Sequence, residues 1–200
     1  MGTARTVFLA VAMFAPLAFG AGAAGAAPGF MPGSDRTTQP IGHYEFCQRE
    51  PQECAQKTSR RNPVELTRTL WAALVDINNN VNTSITPRTD LEMWGREEVW
   101  SYPDGEGDCE DYVLEKRRQL LALGVPASDL MITVVRQRNG EGHAVLMVRT
   151  DRGDLVLDNQ DGMVRVWTET PYQYIKRQSQ TNAGKWVDIL DSRVTVIAQN

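Results

Sequence analysis

Histidine and cysteine are scarce in this chain, at two and three among 200 residues. There is no pair of Cys-x-x-Cys motifs, which weighs against a structural zinc centre. A basic excess is also missing. Lys and Arg number 21 against 25 Asp and Glu, a formal net charge of −4. Phosphate binding needs a basic face, so nucleic acid is excluded as a partner. Beyond residue 27 no stretch approaches about 18 apolar residues, so no bilayer-spanning helix is expected there. Internal repeats are absent too. These absences leave one acidic, non-repetitive domain.

The N-terminus is a different kind of sequence. Arg5 is the one charge before an apolar run over residues 7–19, broken by Pro16, and Ala and Gly fill residues 21–27. A short apolar core followed by small-x-small sites predicts a signal peptide over residues 1–27. The remaining residues, 28–200, suffice for one domain with its own core, placed in the periplasm or outside the cell. Residues 28–45 begin with a stretch rich in Gly, Pro, Ser and Thr and are expected to form a flexible leader. The domain proper is expected over 46–200. Cys47 and Cys54 flank Pro51, and export makes a disulfide between them plausible. Paired zinc ligands with His43 are the alternative. Either way Cys109 is left odd, and an odd cysteine in an exported protein is a reactive thiol or an intermolecular partner.

The pattern along the domain changes period once. Asn62, Pro63 and Glu65 form a capping signature, and a stripe at Val64, Thr67, Leu70, Trp71, Leu74 and Ile77 follows at helical spacing. Asn78-Asn79-Asn80 is expected to end this helix. Residues 81–107 are irregular, punctuated by Trp94 and Trp100; such long connections are often functional. A second helix is expected from 109 to about 123, with acids at its start, bases later and Gly124 as its stop. Strands are expected over 130–136, 143–149 and 155–158, then near 163–167 and 186–190. Helices followed by an antiparallel sheet give an α+β fold, with N-terminal helices packed on the sheet.

The chemistry centres on Gly107-Asp108-Cys109-Glu110-Asp111-Tyr112. Cys109 sits where a loop becomes a helix, and a helix N-terminus favours a thiolate. Five acids over residues 104–111 oppose it. A protonated His143 or a bound cation is needed to offset them. His143 opens one strand and Asp158 closes the next. A reversal centred between Thr150 and Asp151 would set them directly opposite, about 5 Å apart at Cβ. Cys, His and Asp are the inventory of a thiol nucleophile, its base and the group that orients the base. Such a set serves acyl transfer or peptide cleavage without an organic cofactor. Carboxylates are the ligands Ca²⁺ prefers. The acid spacing from Asp104 resembles an EF-hand start, but Cys109 occupies the place where that loop needs Gly.

Asp90, Trp100, the GDCEDY block, Leu123-Gly124-Val125-Pro126, His143-Ala144-Val145-Leu146 and Leu157-Asp158-Asn159 together resemble the bacterial transglutaminase-like cysteine peptidases, the LapG-type periplasmic proteases among them. The resemblance covers about residues 62–174. It implies a papain/transglutaminase-like fold with Cys109 as nucleophile, His143 as general base and Asp158 as its orienting partner. It implies calcium held by Asp108, Glu110 and Asp111, a protein substrate such as a surface adhesin, and an inner-membrane cyclic di-GMP receptor as regulator. By the same analogy Trp100 is a second oxyanion donor beside the backbone N–H of Cys109. The Cys47/Cys54 pair and the Gly/Pro leader lie outside the family's pattern and indicate a sub-branch. Two other outcomes stay open: an amine-accepting transglutaminase or acyltransferase with the same triad, and a non-catalytic calcium-binding protein.

Overall fold

The computed structural model describes residues 1–2, 29–59, 62–191 and 193. The expected signal peptide therefore lies outside the described residues, apart from Met1 and Gly2. In chain order the elements are β1 (Gly33–Thr37), α1 (Ile41–Arg49), α2 (Pro51–Cys54), α3 (Arg68–Ser84), β2 (Thr86–Pro87), α4 (Asp90–Trp94), β3 (Glu106–Gly107) and α5 (Cys109–Ala122). Then come β4 (Leu130–Arg136), β5 (Gly142–Thr150), β6 (Gly153–Leu157), β7 (Arg165–Val166), β8 (Gln173–Ser179) and β9 (Asn182–Ile189). Seven strands form one antiparallel sheet in the order β1-β9-β8-β4-β5-β6-β7, while β2 and β3 form a small parallel pair. No helix among the described residues is long and apolar enough to cross a membrane.

Alternation along β5 splits the core in two. Ala144, Leu146 and Val148 face the helical layer, where they join Leu74, Val81, Tyr112, Val113 and Leu120. Val145 and Met147 face the other side, with Met31, Trp167 and Tyr174. The helix carrying Cys109 is thus clamped between the sheet and α3. That explains why nearly all of its first nine residues are buried.

The expected flexible leader is a correction. Residues 29–45 are built into the fold: β1 pairs with β9, and Met31 is buried with its N–H donating to Asp154 Oδ2 at 2.7 Å. Local composition suggested a loose lead, but β9 supplies strand partners from the far end of the chain, and Asp154 lies 123 residues from Met31. The α3 limits are also corrected. Val64 bridges Thr150, and the Leu66 N–H donates to Asp151 Oδ1, so the Asn62-Pro63 signature lies in extended chain. Thr67 is the real cap, its Oγ1 accepting from the Leu70 N–H at 3.1 Å. At the other end Val81 and Ile85 continue the buried stripe, so the helix passes through Asn78-Asn79-Asn80 to Ser84.

Cys47 and Cys54 are joined by a disulfide, Cα–Cα 5.6 Å. Their thiolates are thereby unavailable to zinc, and the sulfurs lie over opposite nitrogens of buried His43, at 3.6 and 4.0 Å. Burial, then the Arg117 charge, lowers the His43 pKa to about 3, so this imidazole is neutral. The braced α1–α2 pair packs tightly on the segment before the second helix. A Cβ on Gly42 would meet the Trp100 ring at 2.3 Å, and Arg49 donates to the Trp100 carbonyl at 2.6 Å. A Cys47→Ser/Cys54→Ser variant is expected to lose about 2–3 kcal/mol, given the short loop the bridge closes, measured by urea unfolding.

Lys116 on α5 is fully buried, and its Nζ has no hydrogen-bond partner. Burial lowers its pKa to about 7, against the opposing pull of Asp158. A lysine whose folded pKa is depressed binds protons better unfolded, so its cost is largest below pH 7 and fades as pH rises towards 10. Lys116→Met is expected to stabilise the fold by about 1–4 kcal/mol at pH 7, with the gain shrinking by pH 10 in denaturant titrations.

Candidate active site

The site forms where the start of α5 meets the start of β5 and the end of β6. Asp108 is the residue before the helix, so Cys109 opens it. The Ala144 backbone, on the residue after His143, favours the thiolate of Cys109 but is outweighed by burial and by Glu110. Cys109 packs on the same cluster as Ala144, so the start of α5 lies against the start of β5. His143 Nε2 meets Asp158 Oδ1 at 2.9 Å, and both side chains are buried. The register differs from the expected one. Thr150 pairs with Gly153 and Leu146 with Leu157, which centres the reversal between Asp151 and Arg152. His143 and Asp158 are consequently diagonal neighbours on one face, a separation a histidine side chain can bridge.

Asp158 is held by more than His143. Its Oδ1 also accepts from the Gln160 N–H at 2.9 Å, and its Oδ2 accepts from the Tyr172 hydroxyl. Burial pushes the carboxyl pKa up, but these donors outweigh it and the net shift is downward. Asp158 is therefore ionised at neutral pH. It fixes the proton on Nε2, which leaves Nδ1 as the basic nitrogen. The Tyr172 ring also stands 5.5 Å from the His143 ring. Tyr172 was missed in sequence because it lies in a Thr-Pro-Tyr loop without periodicity.

The thiol itself donates to Glu110 Oε2 at 3.0 Å. Burial, then the Glu110 charge, raises its pKa well above the usual thiol range. Burial and the neighbouring Asp108 push Glu110 up to about 9, and burial foremost pushes Asp111 up to about 7. The acids by themselves keep the thiol protonated.

The acids expected to hold calcium separate into two groups. Asp108 and Asp111 converge with Asp90, with ligand atoms within 4.8 Å of one another. Glu110 instead groups with Asp108 and Cys109. Each member of the first group spends one oxygen on a backbone N–H: Asp90 on Val99, Asp108 on Asp90 at 3.3 Å, and Asp111 on Ser101 at 2.8 Å. The other oxygens, Asp90 Oδ1, Asp108 Oδ1 and Asp111 Oδ2, are buried without a partner. Three orphaned hard oxygens at one point fit a cation such as Ca²⁺. Gly107 permits the approach, since a Cβ there would meet the Asp111 side chain at 2.8 Å. Asp90 opens α4, capped by a Thr89/Glu92 capping box inside the stretch expected to be irregular. Trp100 is a correction: it is buried against His43 and Trp186, and its indole N–H donates to Glu98. Trp94, by contrast, is exposed.

A profile of the bacterial transglutaminase-like cysteine proteinase family, BTLCP, matches residues 33–194. Among solved structures, Legionella pneumophila LapG is similar, with a TM-score of 0.51 at 26% identity over 63% of this chain and 72% of that one. Its EGTA-treated form gives 0.51 at 25% identity, over 65% and 75%. Its calcium-bound form gives 0.48 at 24%, over 54% of this chain and 64% of that one. No curated protein matches by sequence. The chain belongs to the bacterial transglutaminase-like cysteine proteinase family.

Proposed function

We propose that this cysteine peptidase is an exported endopeptidase in which Cys109, His143 and Asp158 are nucleophile, base and orienting acid. One observation carries the reading: the buried His143–Asp158 pair at 2.9 Å stands at the start of the strand whose Ala144 shares a packed cluster with Cys109. His143 Nδ1 takes the thiol proton, and the thiolate attacks the scissile carbonyl. The tetrahedral intermediate expels the amine, which leaves with the proton held on His143. Water then cleaves the thioester, again with His143 as base. The Cys109 backbone N–H, at the helix start, is placed to donate to the oxyanion.

Asp90, Asp108 and Asp111 would hold calcium. The ion supplies positive charge that offsets the acids around the thiol. The same charge would draw Glu110 away from Cys109. The likeness to LapG, including an EGTA-treated form, accords with this reading. The periplasm as location, a surface adhesin as substrate and a cyclic di-GMP receptor as regulator are the further proposals the resemblance carries.

The test is product analysis on a denatured exported-protein mixture, with and without a primary amine. Cleaved chains with free carboxyl ends support the endopeptidase. Amine-capped glutamines without cleavage would instead establish the transglutaminase.

A further inference from the structure

Asparagine is a poor helix former, because its side chain competes for backbone groups. Yet Asn78 and Asn82 stand one turn apart inside α3, with Asn78 completely buried. Both face the segment that carries the triad's acid. Asn82 Nδ2 donates to the Asp158 carbonyl at 2.8 Å, and Asn78 Nδ2 donates to the Asp161 carbonyl at 3.0 Å. These bonds hold both ends of residues 158–161. Tyr172, His143 and Gln160 take the Asp158 carboxylate, so its main chain and side chain are fixed from different elements.

The remaining polar atoms belong to the same place. The amide oxygens of Asn78, Asn82 and Asn159 are buried without partners, as is Lys116 Nζ on α5. Asp158 is the charge that acts on Lys116.

We propose that Asn82 and Asn78 are positioning residues for the reaction: they fix the 158–161 backbone so that Asp158 meets His143. The proposal rests on the thiol-peptidase reading. A loop end held on one side only would let Asp158 move, and small misplacements of a catalytic group are expensive.

The experiment is a double-mutant cycle. Asn82→Leu and Asn82→Asp are made in the wild type and in Asp158→Asn, reading the rate of Cys109 alkylation by iodoacetamide and, where measurable, kcat and KM for cleavage. In the wild-type background each Asn82 variant is expected to lower the alkylation rate and kcat about tenfold, with KM within about twofold. In the Asp158→Asn background the same substitution is expected to change the rate less than about twofold, because the acid it positions is gone. Equal losses in both backgrounds overturn the proposal and reduce Asn82 to general support. Failure of both Asn82 variants to fold overturns it as well, since a fold requirement then accounts for the residue. An unreactive Cys109 in the wild type overturns the peptidase reading itself.

Discussion

Cys109→Ala is expected to abolish cleavage, by at least about 10⁴-fold in kcat/KM, while leaving the thermal midpoint within a few degrees of wild type. The loss is large because Cys109, the only free cysteine among the described residues, is the proposed nucleophile. The fold survives because Cys109 is only partly buried and its core contribution is small. His143→Ala is expected to cost nearly as much. It removes the proposed base, and the thiol then stays hydrogen-bonded to Glu110. Asp158→Asn is expected to cost less, about 10²–10⁴-fold, because the imidazole remains but its tautomer is no longer fixed. Members of such a unit act together, so combining His143→Ala with Asp158→Asn is expected to add little to His143→Ala alone. Active-site titration with a peptide thiol inhibitor and steady-state kinetics check all four.

Removing calcium is expected to have the second large effect, on both stability and reactivity. Glu110 and Asp111 carry raised folded pKa values, about 9 and about 7. An acid whose folded pKa is raised binds protons better in the folded state. Its cost therefore appears as pH rises above the unfolded value near 4 and grows through the folded value. In chelator, the protein is expected to melt at a lower temperature at pH 8 than at pH 5. Calcium at about a hundredfold excess over its Kd is expected to raise the midpoint at pH 8 by about 5–10 °C, and by less at pH 5. Asp90→Asn/Asp111→Asn is expected to behave in the opposite sense. It removes repulsion between buried carboxylates, so it melts higher in chelator, and it no longer responds to calcium. Differential scanning calorimetry at the two pH values reads both results. A calcium response that survives in the double variant would place the ion elsewhere.

The parts of this molecule legible from sequence are those whose cause is local. The β4 span matched residue for residue because Leu130–Arg136 is a clean β-rich run between a helix stop and a turn. The start of α5 was legible because a glycine-rich loop gives way to an acid-led helix at Cys109. What stayed hidden depends on distant partners. β1 reads GSDRT, with no apolar alternation, and is a strand because β9 offers it an edge. β8 reads QYIKRQS and is polar enough to pass for a loop, yet it lies between β9 and β4.

The site divides along the same line. Cys109, His143 and Asp158 sit in local blocks whose chemistry is visible residue by residue. Asp90 joins Asp108 and Asp111 only because α4 folds back on the start of α5. Tyr172 reaches Asp158 from the far side of β7. The expected turn centre was one residue early because it assumed His143 and Asp158 directly opposite; Gly153, at φ 123°, instead pairs with Thr150 as the first residue of β6 and leaves the two diagonal.

The most direct test of the central claim is the alkylation rate of Cys109 by iodoacetamide in the mature protein near neutral pH, with calcium and with chelator, beside His143→Ala. An activated thiolate labels fast with calcium, at least about tenfold slower in chelator, and slowly in His143→Ala under both conditions. A slow rate indifferent to calcium and to His143 would contradict the account, because Cys109 would then be an ordinary thiol beside a cluster of acids.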